Sequence, residues 1–177
     1  ALRFALARLG AVLVPVNFML NADEAGYILR HAGVKLLAVD SGLHALGREA
    51  ATRDTAIARF LWLPSEDPTS CPAGCLDFDA LAATDLALHP CPEPEFNSHH
   101  LLQIVYTSGT ESLPKGAMLS HEAVLWEYVS CIIEGDIAES DRILHALPLY
   151  HCAQLDVFLG PAIYVGATNV ITGAPTP

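Results

Sequence analysis

The apolar and polar positions of the chain switch repeatedly between a helical and an extended period. Leu2-Arg3-Phe4-Ala5-Leu6-Ala7-Arg8-Leu9 predicts a helix at about 1–9, and the apolar run after Gly10 predicts a strand at 11–16. Asn21 followed by Glu24 has the pattern of a capping box, so a helix is expected over 22–31, with Gly33 just past its end. Lys35-Leu36-Leu37-Ala38-Val39-Asp40 reads as a buried strand, 43–53 as a helix and 59–63 as a strand. From Pro64 to Pro94 the texture changes. Six prolines, three cysteines and many acids indicate a surface excursion, with one short helical piece around Asp77–Ala82. Beyond it follow a strand at 101–106, a helix at about 121–133, a strand at Arg142–Ala146, a helix at about 153–163 and a closing strand at 167–171. This order predicts an α/β fold, three-layered as α/β/α on a mainly parallel sheet. The regions 1–63 and 95–177 are the expected sheet regions, separated by the excursion 64–94.

Composition agrees with that class. Apolar residues make up 52% of the 177 and charged residues 16%, which fits a globular body and argues against disorder. The formal net charge of −11 disfavours nucleic acid and anionic membranes as partners, since no basic stripe offsets phosphate repulsion. No apolar run is both long and charge-free enough to span a bilayer. The five cysteines, an odd count, and the lack of a secretory signal or glycosylation sequon predict a reducing, cytoplasmic setting. Cys71, Cys75, His89 and Cys91 raise a zinc reading, but C-x3-C…H-x-C is not a standard finger spacing, and ordinary loop thiols are expected. The chain starts without Met inside a helical pattern and stops in Pro175-Thr176-Pro177. It is therefore read as an internal piece of a longer domain, with apolar faces that favour self-association into a homo-oligomer.

Candidate chemistry concentrates in Tyr106-Thr107-Ser108-Gly109-Thr110-Glu111-Ser112-Leu113-Pro114-Lys115-Gly116. A strand that empties into a loop of hydroxyls and glycines ending in lysine suits a phosphate. Glycines let backbone N–H groups approach the anion, hydroxyls donate further hydrogen bonds, and lysine adds a mobile charge. The mononucleotide P-loop is excluded, because Pro114 precedes the lysine and Gly116 follows it. No G-x-S-x-G elbow supports a hydrolase and no G-x-G-x-x-G supports a dinucleotide site. His121-Glu122 begins a metal-binding H-E-x-x-H that position 125, a Leu, leaves incomplete; a solvated first helical turn is expected there.

The loop resembles the Y-T-S-G-T-T-G-x-P-K-G pattern of the adenylate-forming superfamily, departing from it at Glu111 and Ser112. Leu147-Pro148-Leu149-Tyr150-His151 resembles that superfamily's P-L-[FY]-H block, and Gly10-Ala11-Val12-Leu13-Val14-Pro15-Val16-Asn17 its G-A-V-x-V-P-x-N block. The resemblance is closest to bacterial fatty-acyl-CoA synthetases and implies part of their AMP-binding N-terminal domain across 1–177. It implies ATP, Mg²⁺ and coenzyme A as cofactors and a fatty acid as substrate. The implied reaction is adenylation of the acid with release of pyrophosphate, then thioester formation. Transfer of the acyl-adenylate to a carrier protein is one alternative, and a non-catalytic anion- or partner-binding module is another. By the same resemblance Thr107, Ser108, Gly109, Thr110, Glu111, Ser112, Lys115 and Gly116 form the phosphate site, with Lys115 and His151 as catalytic residues. Thr110 would meet a metal only through Mg-ATP. His151, Gln154 and Phe158 would line the acyl pocket. A carboxylate about 4 Å from a phosphate is repelled by roughly 4 kcal/mol at an effective dielectric of 20, so Glu111 is expected to point away or to meet the phosphates only through Mg²⁺. The family's adenosine contacts, metal carboxylate and mobile lysine have no counterpart here, so the chain alone is expected to be inactive. Cys152 is expected to be a buried thiol, and Trp126, Tyr128, Phe158 and Tyr164 are expected in the core.

Overall fold

The computed structural model describes residues 1–65, 70–84, 95, 97–107 and 113–173. The chain is a mixed α/β protein whose strands pair mainly in parallel. It divides into two compact units, one drawn from Ala1–Pro15, Pro94–Thr107 and Lys115–Pro177, the other from Val16–Glu93 and Ser108–Pro114.

The second unit is built on a parallel sheet of β1 (Leu36–Val39), β2 (Arg59–Trp62) and β3 (Cys75–Asp77). Helices α2 (Ala22–His31) and α3 (His44–Ala51) pack beside it. The capping box forms as expected: the Asn21 side chain accepts the Asp23 and Glu24 N–H groups, and Glu24 returns a bond to the Asn21 N–H, each at 3.0 Å. At the other end Gly33 takes φ +66°, and the N–H groups of Gly33 and Val34 close back on Arg30 and Leu29. A left-handed residue after the last turn lets those two carbonyls be satisfied before the chain turns into β1. Ala22, Ala25, Leu29 and Ala50 form the core, joined by Val16, Leu37, Leu46 and Ile57. β3 and the short α4 (Phe78–Ala82) lie inside the stretch expected to be a surface excursion; only the helical piece was foreseen there.

The first unit begins with α1 (Leu2–Arg8). Its next segment makes no strand. Only Leu13 bridges, in parallel fashion, to Gln103. β4 (Leu101–Thr107) and β5 (Lys115–Ser120) form an antiparallel pair, an exception to the parallel rule. α5 (His121–Gly135) starts at Ser120, whose hydroxyl accepts the Ala123 N–H at 3.2 Å. β6 (Arg142–His145) pairs in parallel with β7 (Thr168–Ile171). The connection between them is not the uniform helix expected at 153–163: Ala153–Leu159 is a π-helix, followed by α6 (Gly160–Val165). Pro161 has no N–H to donate, which breaks the regular ladder where the register changes. Leu102, Val124 and Tyr128 form the apolar core of this unit, with Ala7 and Leu119 against it. Of the four aromatics expected in the core only Tyr128 is buried; Trp126, Phe158 and Tyr164 are exposed.

Candidate functional site

The expected phosphate loop joins β4 to β5. Thr107 ends β4 and faces Lys115, the first residue of β5, in the antiparallel register. The Thr107 hydroxyl lies 3.5 Å from the Lys115 carbonyl oxygen. Ser108, Gly109, Thr110, Glu111 and Ser112 lie outside the described residues. Lys115 and Gly116 are thus strand residues, not the tail of a loop, and the strand runs directly into α5. Both Thr107 and Lys115 are exposed, so the hydroxyl and the ammonium open onto solvent from paired positions. The Pro114 carbonyl accepts the Tyr27 hydroxyl at 3.3 Å.

Gly116 has a packing reason to be glycine. It pairs with Tyr106, and a Cβ there would sit 2.7 Å from Ile104 Cγ2 and 3.1 Å from Tyr106 Cζ. The absence of a side chain lets Ile104 and Tyr106 cover the hairpin beside the loop.

His151 closes the Pro148–His151 turn, its N–H bonded to the Pro148 carbonyl at 3.1 Å, and its side chain is exposed. Its Nδ1 accepts the Ala153 N–H at 3.2 Å. In the neutral ring the proton therefore sits on Nε2, which is left to donate outward. Cys152 is half-buried rather than buried, with Sγ 3.9 Å from the same Nδ1. That nitrogen's lone pair already serves Ala153, so the two do not form an activated nucleophile pair. Gln154 is buried with both ends of its carboxamide engaged: Oε1 accepts the Leu147 N–H at 3.2 Å, and Nε2 reaches His145 Nδ1 at 2.5 Å. His145 in turn meets Asn169 Oδ1 at 2.7 Å through Nε2. This relay fastens the start of the Pro148–His151 turn to β6 and β7. Phe158 is exposed on the π-helix.

A second polar cluster escaped the sequence reading. Asp156, fully buried on the π-helix, accepts Arg3 at 2.6 Å on one oxygen and Gln103 Nε2 at 2.7 Å on the other. Arg3 also donates to Gln103 Oε1, the side-chain amide oxygen, and, at 2.8 Å, to the Tyr128 hydroxyl. The strand that leads to the phosphate loop is thereby bolted to the helix that follows His151. The available signal was one acid inside Ala153-Gln154-Leu155-Asp156-Val157-Phe158-Leu159 and one amide inside β4, each a polar residue in an apolar run.

His121 is half-buried rather than solvated. Burial, and then His100 nearby, lower its pKa from the ordinary value. Glu122 is bonded to His99 Nδ1 at 2.8 Å, so the loop before β4 is pinned to the first turn of α5. Among the described residues no three His, Cys, Asp or Glu side chains are grouped to hold a metal ion; His89 and Cys91 lie outside them. No helix among the described residues is long and apolar enough to cross a membrane.

A mainly parallel α/β chain that joins Tyr106-Thr107-Ser108-Gly109-Thr110 to Pro114-Lys115-Gly116 across a hairpin, with a Pro-Leu-Tyr-His turn after β6, is the N-terminal architecture of an adenylate-forming enzyme. The chain belongs to the AMP-binding enzyme family, whose model matches residues 1–177. It is 33% identical over 174 residues to a feruloyl-CoA synthase of an Amycolatopsis species, covering 98% of this chain and 31% of the relative. It is 35% identical over 168 residues to an indoleacetate–CoA ligase of Aromatoleum aromaticum, covering 95% and 32%. Among solved structures, a putative long-chain-fatty-acid CoA ligase from Rhodopseudomonas palustris superposes with a TM-score of 0.81 at 26% identity, covering 99% of this chain and 42% of that one. The chain spans about a third of the length of the curated relatives it matches.

Proposed function

We propose that this chain is the phosphate- and carboxylate-holding part of an ATP-dependent carboxylic acid–CoA ligase. The observation that carries the reading is the pairing of Thr107 with Lys115 at the mouth of the expected phosphate loop, with Gly116 packed behind it. The acid's carboxylate oxygen attacks the α-phosphorus of ATP, the bond to the β-phosphate oxygen breaks, and pyrophosphate leaves. The thiol of coenzyme A then displaces AMP from the acyl-adenylate. The difficult part of the first step is negative charge accumulating on the leaving pyrophosphate, and fixed donors aimed at it lower that barrier. Lys115 supplies the cation, Thr107 a hydroxyl, and Ser108, Gly109, Thr110 and Ser112 the remaining donors, with Mg²⁺ accompanying ATP. His151 donates from Nε2 to the acid's carboxylate and orients it; Phe158 borders the acyl group. Gln154 acts one step back, holding the turn that carries His151. The acid is hydrophobic: the fatty acids expected from the sequence are joined as candidates by the aromatic acids named in two relatives.

The test is ATP–pyrophosphate exchange by the full-length protein against a panel of fatty and aryl acids. Lys115→Ala removes one charge-assisted bond of about 1.5–3 kcal/mol, and exchange should fall by roughly tenfold to a hundredfold with folding unchanged. Exchange at the unsubstituted rate would overturn the role of the hairpin lysine.

A further inference from the structure

The second unit gathers two cysteines, a histidine and an arginine on one edge of its sheet. Cys75 opens β3 and pairs in parallel register with Phe60 of β2. The Arg48 guanidinium stacks over the Phe60 ring at 4.2 Å, which fixes it, and its Nη2 lies 3.8 Å from Cys75 Sγ. His44, one turn before Arg48 on α3, stands edge-on to Trp62 at 5.4 Å and presents Nε2 at 3.7 Å from the same sulfur. Arg48 Nε also donates to that nitrogen at 3.3 Å. One sulfur therefore faces a permanent cation and an imidazole, each held by an aromatic ring of β2. Cys71 approaches from the other direction. Pro72-Ala73-Gly74-Cys75 is a tight turn, closed by the Cys75 N–H on the Pro72 carbonyl at 3.1 Å, with Gly74 at φ +84°. A glycine with positive φ at the third position makes it a type II turn. It folds Cys71 back until its Sγ is 3.8 Å from the Cys75 carbonyl oxygen. Both thiols are partly accessible.

We infer that Cys75 and Cys71 form a peroxide-oxidisable thiol pair, with Cys75 the sulfur that attacks the peroxide and Cys71 the resolving one. The thiolate is the reactive form of a cysteine, and Cys75 is the sulfur that stands beside the Arg48 guanidinium. Partial burial, followed by the charges of Asp77 and Cys75, pushes the Cys71 thiol above its usual value. The chemistry needs only a hydroperoxide. Cys75 loses its proton to water, and its sulfur attacks one peroxide oxygen. The O–O bond breaks, the alkoxide or hydroxide leaves beside Arg48 and takes a proton from water, and Cys75 becomes a sulfenic acid. Cys71 then gives up its proton, attacks the Cys75 sulfur and expels hydroxide, which takes that proton and departs as water. Two thiols and one hydroperoxide yield one disulfide, one alcohol or water, and a further water. The five-residue span from Cys71 to Cys75 would close into a small loop at the head of β3 without disturbing β1 or β2. Nothing in this inference depends on the proposed ligase activity.

The test treats the full chain with substoichiometric hydrogen peroxide, blocks free thiols with N-ethylmaleimide and maps the products by peptide mass spectrometry. The expected result is an intramolecular Cys71–Cys75 disulfide formed on the order of tenfold faster than oxidation of Cys91, Cys131 or Cys152. In Cys71→Ser, dimedone should label Cys75. Arg48→Met should slow the reaction with circular dichroism unchanged, and Arg48→Lys should restore part of the rate. Earlier oxidation of another cysteine, dimedone on another residue of Cys71→Ser, or a rate indifferent to a folded Arg48→Met would each overturn the assignment. The comparison among cysteines within the unsubstituted chain stands even if an Arg48 variant fails to fold.

Discussion

Asp156 takes Arg3 on one oxygen and Gln103 on the other, and Arg3 also donates to the Tyr128 hydroxyl, so both carboxylate oxygens of this buried acid are engaged. Removing Arg3 would leave the buried Asp156 charge uncompensated, which typically costs about 3–5 kcal/mol. Glu127 lies next to that charge. Burial first, and Asp156 second, raise its carboxyl pKa above the ordinary value, while Arg3 opposes them. A carboxyl whose folded pKa is raised binds its proton more tightly in the native state than in the unfolded one. Stability is then lost as pH rises from the ordinary Glu value of about 4.3 through the raised folded value, and the penalty is complete above that. Glu127→Gln removes it. The variant should melt at a higher temperature than the parent at neutral pH, and the gain should vanish below about pH 4. Thermal unfolding at both pH values decides this; an equal gain at both would mean that packing, not ionisation, is responsible. Single residues of this kind were only partly legible in the sequence. The Asn21 cap could be read because its partner is three residues away. The partner of Asp156 is Arg3, across most of the chain, and only the fold brings the two together.

At the scale of elements, what could be read depended on how strongly each segment carries its own period. The helices at 22–31 and 121–135 and the strands at 36–39, 59–62 and 101–107 have long runs or caps, and they lie within a residue or two of where the pattern put them. β5 was missed because Lys115-Gly116-Ala117-Met118-Leu119-Ser120 has no β-branched residue and no regular alternation of burial; its strand state comes from pairing with β4. The reverse happened at 11–16, a β-rich segment whose only described bridge is at Leu13. The hairpin also shows why Gly116 matters beyond any phosphate. Gly116→Ala puts a methyl 2.7 Å from Ile104 Cγ2, an overpacking that should cost about 1–3 kcal/mol. Trimming the obstacle with Ile104→Ala should make the double variant more stable than the sum of the two single losses. Urea unfolding of the four proteins gives the coupling directly. Additive losses would show that the hairpin accommodates the methyl without meeting Ile104.

At the scale of the molecule, the family and fold class were legible because three sequence blocks in fixed order carry them, and the match over residues 1–177 agrees. The distribution of exposed apolar surface was not, because periodicity marks a helical face as apolar without saying what it meets. Trp126 is 63% exposed and Ile133 70%, and the two stand seven residues apart on α5, which places them on one face. Leu144 on β6, together with Phe158, Tyr164 and Ile171, adds exposed apolar surface within the same unit. Large side chains so placed favour association when no polar rim or covering segment competes, because each gives up water-exposed area on contact. The chain on its own should therefore self-associate, with a weight-average mass that starts near 18.9 kDa and climbs with concentration. Replacing Trp126 and Ile133 together by lysine should shift that climb to higher concentration while leaving the helix content intact, since both side chains point to solvent. Sedimentation velocity over a roughly hundredfold concentration range measures both effects. A mass fixed at the monomer value throughout would rule out association. A climb unaffected by the two lysines would keep association but remove the α5 face as its seat.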